Sequence, residues 1–226
     1  MKTILLLHGA IGSKGQLISL EKSLQPFFQV HTLNFPGHGG EPLPNSYSMP
    51  IFAESVKKYI DQHKLYEPII FGYSMGGYVA LYGAKRHSFR AEKIITLATK
   101  FEWNETIAAK ESKMLNPEVI EEKLPRFALT LQERHAPENW KEVLHKTSGL
   151  LSQLGSMAYL QDVSDLQTPT LIILGDRDKM VSLEETVAIY KKLPVASLTV
   201  LPNTAHPIEE VDTDMLAFHI KRFALV

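Results

Sequence analysis

Six short apolar runs constrain the fold of this 226-residue chain. They lie at residues 3–7, 28–35, 68–73, 93–98, 170–175 and 197–201. Most are apolar at consecutive positions, which is typical of strands buried on both faces in a parallel sheet covered by helices. Segments with helical spacing lie between them, at 16–25, 50–64, 75–87, 182–193 and 207–223. This alternation predicts one α/β domain over residues 1–226, with a doubly wound, mostly parallel, six-stranded core.

One interval breaks the alternation between the fourth and fifth runs. Residues 101–161 carry no strand pattern, many charges and only scattered apolar positions. Because a structureless loop of this length is rare in a compact domain, we predict helices interrupted near Pro117, Pro125 and Pro137. We expect them to form a helical cap, inserted into the domain and lying over the strand ends.

Charge and composition exclude several classes of function. The formal net charge of −1 favours neither a nucleic acid nor an anionic membrane as partner. The absence of cysteine removes disulfides, thiolate nucleophiles and cysteine metal sites, and it favours a reducing compartment, so we predict a cytoplasmic protein. No apolar stretch is long enough to span a bilayer, and the apolar run after Met1 is too short for a signal peptide. We interpret that run as a strand.

The stretch FGYSMGG, at residues 71–77, carries the strongest chemical signal. Its Gly72-Tyr73-Ser74-Met75-Gly76 core fits Gly-x-Ser-x-Gly, in which a serine occupies a tight turn between a strand and a helix. It follows a buried-strand run and precedes a helical pattern, as that turn requires. The alternative is that Ser74 only caps the helix, but capping does not explain a glycine on both flanks. We therefore predict that Ser74 is a nucleophile.

A serine nucleophile needs a base, and the base needs a carboxylate to orient it. His206 follows the sixth run, in LPNTAHPIEE, and Asp176 and Asp178 follow the fifth, in LGDRDKMV. The carboxyl ends of these strands share one sheet edge with Ser74, so we predict His206 as the base. The alternative for His206 is a purely structural role. Spacing alone does not choose between the two aspartates.

Negative charge develops on oxygen when a serine attacks an acyl carbonyl, and backbone N–H groups usually stabilise it. We predict that Met75, at the start of the helix, and Ala10, in the loop HGAIGS, supply these donors. Gly9 would allow that loop to turn tightly. For the substrate pocket we predict four lining residues: Ile11, Tyr73, Phe101 and Trp103. Phe101 and Trp103 could equally pack the cap against the core.

Other motifs give no metal or cofactor site. The order of GAIGSKG does not fit a phosphate-binding loop. His38 with Glu41, and His135 near Glu133 and Glu138, do not form the dense cluster that a metal needs. We expect neither a metal nor a cofactor.

Five stretches together resemble the α/β-hydrolase superfamily, in its small, lidded, carboxylesterase-like form. They are LLLHGAIGS, NFPGHGG, GYSMGG, GDRDKMV and TAHPIEE, and they span residues 5–210 in the family order Ser, Asp, His. The family pattern Gly-x-x-Asp-x-x-Val selects Asp178 as the acid. Asn34 and Ala205 depart from a frequent aspartate and a frequent glycine, and neither is a catalytic position. The resemblance also implies that the chain begins at the family's third strand, which leaves a minimal six-stranded sheet.

These observations predict a serine hydrolase that cleaves a small carboxylic ester, or a related acyl compound, through an acyl-enzyme. The resemblance leaves two alternatives open. The same fold could act on a thioester or a C–C bond, or it could serve as a ligand-binding module with little turnover. Retention of Ser74, Asp178 and His206 counts against the binding module. The expected partner is a small acyl substrate, and the sequence does not indicate an oligomeric state.

Overall fold

The computed structural model describes residues 1–157 and 159–226. Its sheet is formed by β1 (Lys2–Leu7), β2 (Phe28–Leu33), β3 (Ile69–Tyr73), β4 (Ile94–Leu97), β5 (Thr170–Gly175) and β6 (Ala196–Leu201). The strand order is β2-β1-β3-β4-β5-β6, and every neighbouring pair is parallel. The predicted six-stranded, doubly wound fold is therefore confirmed, with a sheet that is entirely parallel among the described residues.

Helices cover the two faces of this sheet. They are α1 (Ile18–Leu24), α2 (Met49–Gln62), α3 (Met75–Lys85), α8 (Leu183–Lys192) and α9 (Thr213–Leu225). Alternate residues of β1 enter different cores: Leu5 packs in the core shared with α2, α3 and α8, whereas Leu6 packs in the core shared with α1 and α9. Burial on both faces explains why the strands have consecutive apolar residues.

The last helix begins at Thr213, not at residue 207 as its apolar spacing predicts. Residues Ile208–Glu210 form a short 3-10 turn after Pro207. The side chain of Asp212 then accepts a hydrogen bond of 2.9 Å from the Met215 N–H, which caps α9. The helix begins at Thr213 and not earlier, because this cap supplies an acceptor for an N–H group of its first turn, which has no partner within the helix.

Four helices lie between β4 and β5: α4 (Glu105–Lys113), α5 (Pro117–Lys123), α6 (Pro125–His135) and α7 (Trp140–Met157). Proline opens α5 and α6, where its missing N–H costs no helical hydrogen bond. α4 packs closely on α7 at Gly155, where a Cβ atom would lie only 2.7 Å from the Cβ of Ala108. We call α4–α7 the helical insertion. None of the helices in residues 1–157 and 159–226 is both long and apolar enough to cross a bilayer.

Candidate active site

Ser74 occupies a strained turn between β3 and α3. Its φ of 51° and ψ of −116° are rarely adopted by a residue with a side chain. The turn is held because the Ser74 N–H donates to the Leu97 carbonyl (2.8 Å) and the Thr99 hydroxyl donates to the Ser74 carbonyl (3.0 Å). A Cβ on Gly76 would collide with the backbone of β1, so only glycine fits at this crossing. The Ser74 side chain makes no capping hydrogen bond, which contradicts the capping alternative.

His206 and Asp178 form a hydrogen-bonded pair on the loops after β6 and β5. The distance from His206 Nδ1 to Asp178 Oδ2 is 2.7 Å, and the Asp178 side chain is fully buried. Asp178 Oδ1 accepts from the N–H groups of Met180 (2.8 Å) and Val181 (2.9 Å). With the proton on Nδ1, His206 Nε2 keeps its lone pair. This geometry is that of a base oriented by a carboxylate.

Asp176 has a different role. Its Oδ1 accepts a hydrogen bond of 3.1 Å from the Thr204 N–H, in the loop that carries His206. The Tyr73 hydroxyl donates to the His206 carbonyl at 3.1 Å and anchors the same loop from β3. Asp176 and Tyr73 therefore position the backbone of the histidine loop, and of the two aspartates it is Asp178 that bonds to the imidazole.

Ser74 and His206 line one cavity without a direct hydrogen bond. Within the described residues, the Ser74 hydroxyl and the His206 imidazole are not hydrogen-bonded to each other. Such bonds are often long without substrate and shorten in the complex. The two side chains therefore share the cavity in which a reacting carbonyl would lie.

The loop after β1 also lies close to Ser74. A Cβ on Gly9 would contact Ser74 Cβ at 3.3 Å, and the Gly12 N–H donates to the Gly9 carbonyl at 3.2 Å. Ala10 lies within this turn and lines the cavity. Met75 is the first residue of α3, so its N–H has no acceptor within the helix. The two predicted backbone donors therefore border the cavity that contains Ser74.

The helical insertion contacts this loop directly. The Ile11 carbonyl accepts from Arg134 Nη1 at 3.1 Å and from His135 Nε2 at 3.0 Å, both at the end of α6. The Gly39 N–H donates to His135 Nδ1 at 3.1 Å, which assigns the proton to Nε2. Ile11 has a positive φ of 50°, a conformation that a β-branched residue rarely adopts. Two donors from α6 thus hold a strained residue beside Ala10.

Three buried histidines lie behind the loop. Burial lowers the pKa of His8 to about 3 and that of His38 well below its usual value. The Phe35 N–H donates to His8 Nε2 (3.1 Å), so His8 Nδ1 carries the proton that binds the Gly9 carbonyl (2.8 Å). The ring centroid of His38 lies 5.3 Å from that of His8 and 5.8 Å from that of His135. Burial lowers the pKa of His135 to about 4. All three are therefore neutral at pH 7.

We expect these histidines to make the fold sensitive to acid. Their folded pKa values lie below the unfolded value of 6.5, so their stabilising contribution is complete above that pH and is lost as pH falls towards about 3 for His8 and about 4 for His135. His8 and His135 should each lower the free energy of unfolding by about 1.4 kcal/mol between pH 7.5 and 5.5, and His38 should act in the same direction. Urea unfolding at the two pH values measures this.

Two variants calibrate that experiment. His135→Gln removes one titrating group and should reduce the pH dependence by about 1.4 kcal/mol over the same interval. His145→Gln changes an exposed histidine on α7 and should leave the pH dependence unaltered. Equal free energies of unfolding for the parent protein at both pH values would contradict the expectation.

The cavity at Ser74 has a volume of about 380 Å³ and lies between the strand ends and the helical insertion. Of the predicted lining residues, it contains Ile11, Tyr73 and Trp103. The prediction for Phe101 is corrected, because this residue lines a neighbouring pocket beside α8 and not the cavity at Ser74. The Phe101 N–H donates to Glu185 Oε1 of α8 at 2.9 Å, which holds this backbone beside α8.

Sequence reasoning missed most of the cavity wall. The helical insertion contributes three polar residues, Glu111, Arg134 and Thr147, and the adjoining loops add two charged ones, Lys100 and Glu209. The apolar residues from the insertion are Met114, Leu115, Phe127, Leu150, Leu151 and Leu154. No local motif marks these positions. Among the described residues, no group of three histidine, aspartate or glutamate side chains is arranged to hold a metal ion.

Comparisons with known proteins agree with this architecture. The family model for the alpha/beta hydrolase fold matches residues 2–139. The pimeloyl-[acyl-carrier protein] methyl ester esterase of Vibrio campbellii is 25% identical over 248 residues, covering 98% of this chain and 94% of that protein. The enzyme of the same name from Chromobacterium violaceum is 26% identical over 226 residues, covering 90% and 86%.

A solved structure gives the same result for the fold. A thermophilic esterase from Thermogutta terrifontis superposes with a TM-score of 0.81 at 18% identity, covering 100% of this chain and 90% of its own. The family match covers more than half of the 226 residues, and it includes the Ser74 turn and the loop after β1. The chain therefore belongs to the α/β hydrolase fold family.

Proposed function

We propose that this protein is a serine hydrolase that cleaves carboxylic esters through an acyl-enzyme intermediate. The observation that carries the proposal is the 2.7 Å hydrogen bond from His206 Nδ1 to the buried Asp178, on the cavity that also contains the strained Ser74. A structural histidine would not need a buried carboxylate fixed by two further backbone donors. A nucleophile–base–acid arrangement needs each of these features.

In the first half of the reaction, Ser74 Oγ attacks the ester carbonyl and His206 Nε2 takes the hydroxyl proton. The carbonyl oxygen becomes an oxyanion, which accepts hydrogen bonds from the Ala10 and Met75 N–H groups. Asp178 stabilises the imidazolium that forms. The oxyanion then collapses, the C–O bond to the alcohol breaks, and the His206 proton goes to the leaving alcohol, so that the acyl group remains on Ser74.

In the second half, a water molecule attacks the acyl-enzyme. His206 Nε2 takes a proton from this water, the same two N–H groups stabilise the second oxyanion, and the proton then returns to Ser74 Oγ. The carboxylic acid is released and the free enzyme is restored. His206 passes on each proton that it accepts, and Asp178 does not take up a proton during the cycle.

The substrate we propose is an ester of a small alcohol with a mainly apolar acyl chain. Two observations support this choice: most side chains around the cavity are apolar, and the relatives from Vibrio campbellii and Chromobacterium violaceum are named methyl ester esterases. A cavity of about 380 Å³ is within the range of small-molecule sites. The lack of cysteine supports a cytoplasmic location.

Covalent labelling tests the proposal. A fluorophosphonate should form one adduct per chain, and digestion with mass spectrometry should locate it on the peptide containing Ser74. The same preparation should hydrolyse methyl and p-nitrophenyl esters of short acyl chains. An adduct elsewhere, or no adduct together with no ester hydrolysis, would overturn the proposal. Faster turnover of matched thioesters than of esters would assign the site to thioester hydrolysis instead.

A further inference from the structure

Four charged side chains line the cavity, and the protein itself satisfies three of them. Lys100 Nζ donates to the Met180 carbonyl at 2.8 Å and lies 3.6 Å from Glu185. Arg134 binds the Ile11 carbonyl and lies 3.5 Å from Glu209. Glu209 also accepts from the Gln16 side chain at 2.6 Å. The fourth is Glu111.

Glu111 is buried without a partner. It is 7% exposed, and it makes no hydrogen bond or ion pair with the residues that the structure describes. Its own helix offers none, because the positions three and four residues away are apolar: Ile107, Ala108, Met114 and Leu115. The facing helix α7 contributes Leu150, Leu151 and Leu154 to the same cavity, and its Thr147 hydroxyl already donates to the Val143 carbonyl.

This placement directs the carboxylate to the cavity. Among the described residues, the Glu111 oxygens are not in the set of fully buried polar atoms without a partner, so they open on the cavity that Glu111 lines. Glu111 also lies in the last turn of α4, at the end of the helix dipole that disfavours a negative charge. Neither the apolar neighbours of Glu111 nor the helix dipole accounts for a carboxylate here, whereas a hydrogen-bond donor that enters the cavity meets it directly.

We propose that Glu111 determines substrate specificity by accepting a hydrogen bond from the substrate. The substrate class is an ester that carries a donor, either a hydroxyl, an amide N–H or an ammonium group, on the part of the molecule that lies against α4. This inference rests on the proposed ester hydrolysis and deepens it. The residues that α7 contributes to the cavity are apolar except for Thr147, so the donor would be the single polar group on the part of the substrate that lies between α4 and α7. An ester with a carboxylate there would be rejected by repulsion from Glu111.

Two matched ester series test the inference. One series varies the end of the acyl chain and the other the end of the alcohol, each with methyl, hydroxyl, ammonium or carboxylate at equal length. In at least one series, wild type should prefer the hydroxyl or ammonium ester over the methyl ester by about tenfold or more in kcat/KM, because a hydrogen bond to a charged group contributes that much. The carboxylate ester should be the poorest substrate.

Variants separate this role from a structural one. Glu111→Leu should reverse the preference towards the methyl ester, because it removes the hydrogen-bond acceptor and leaves an apolar side chain in its place. Glu111→Gln, which keeps the shape, should retain the hydroxyl preference and lose most of the ammonium preference. Glu105→Leu changes an exposed glutamate of the same helix and should leave the order of substrates unaltered.

The failures of the two proposals are distinguishable. If wild type and Glu111→Leu show the same order of substrates in both series while the methyl ester is hydrolysed, the role of Glu111 is overturned and ester hydrolysis stands. If no ester in either series is hydrolysed and no fluorophosphonate adduct forms, both proposals fall.

Discussion

Replacing Ser74 by alanine should lower kcat/KM for ester hydrolysis by about 10⁶-fold and abolish fluorophosphonate labelling. The hydroxyl is the only group in the proposed reaction that forms a covalent bond, so no neighbouring side chain replaces it. Residual hydrolysis should then come from the oxyanion donors and substrate binding alone. Steady-state hydrolysis of a p-nitrophenyl ester, with intact-mass measurement after labelling, provides both results.

The backbone of Ser74 adds a second, independent expectation. Its φ of 51° is strained for alanine as for serine, whereas glycine adopts this region freely. Ser74→Gly should therefore be inactive like Ser74→Ala, and more stable than it by about 1 kcal/mol in urea unfolding. Ser19→Ala, on the exposed face of α1, is the control for both assays. Activity in Ser74→Ala above a few percent of wild type would exclude Ser74 as the nucleophile.

The sheet could be predicted from sequence because burial on both faces leaves a local signature. Runs of consecutive apolar residues locate the six strands to within two residues at each end. The second strand shows why the ends of strands are harder to predict than their positions. Its apolar run continues to Phe35, but the strand ends at Leu33, because Asn34 bonds to Lys14 and Gly39 and turns the chain away. An end is decided by side-chain contacts with distant segments, which no local pattern contains.

Asn34 also gives a physical reason for one departure from the family pattern. Its amide oxygen accepts from the Lys14 N–H at 2.8 Å, and its amide nitrogen donates to the Gly39 carbonyl at 3.0 Å. An aspartate at this position accepts hydrogen bonds but has no N–H to donate to Gly39. The asparagine therefore joins the segment after β1 to the turn after β2, close to the loop that contains Ala10.

The cavity wall was the least predictable part. Proline positions indicate where α5 and α6 begin, but they do not indicate which face of each helix meets the sheet. Phe101 and Trp103 had the same interpretation from sequence, yet only Trp103 lines the cavity with Ser74, because Glu185 of α8 binds the Phe101 N–H. Glu111 could not be noticed at all, since its importance depends on the partners that it lacks in three dimensions.

The acid of the site was left open by spacing and is the subject of the last prediction. Asp178→Asn should lower kcat/KM by about 10⁴-fold, whereas Asp176→Asn should lower it less than tenfold. The reason lies in the two backbone N–H groups, of Met180 and Val181, that donate to Asp178 Oδ1. In Asp178→Asn, these two N–H groups keep the amide oxygen as their acceptor, so the amide NH₂ takes the place of Oδ2 beside His206.

An NH₂ group there donates to His206 Nδ1 and stabilises the tautomer with its proton on Nε2, which is unable to act as a base. Asp176→Asn is the matched control, because an asparagine oxygen still accepts from the Thr204 N–H. Profiles of kcat/KM against pH for both variants provide the measurement. A loss in Asp176→Asn that equals or exceeds the loss in Asp178→Asn would show that the carboxylate bonded to His206 in this structure is not the one that orients the base.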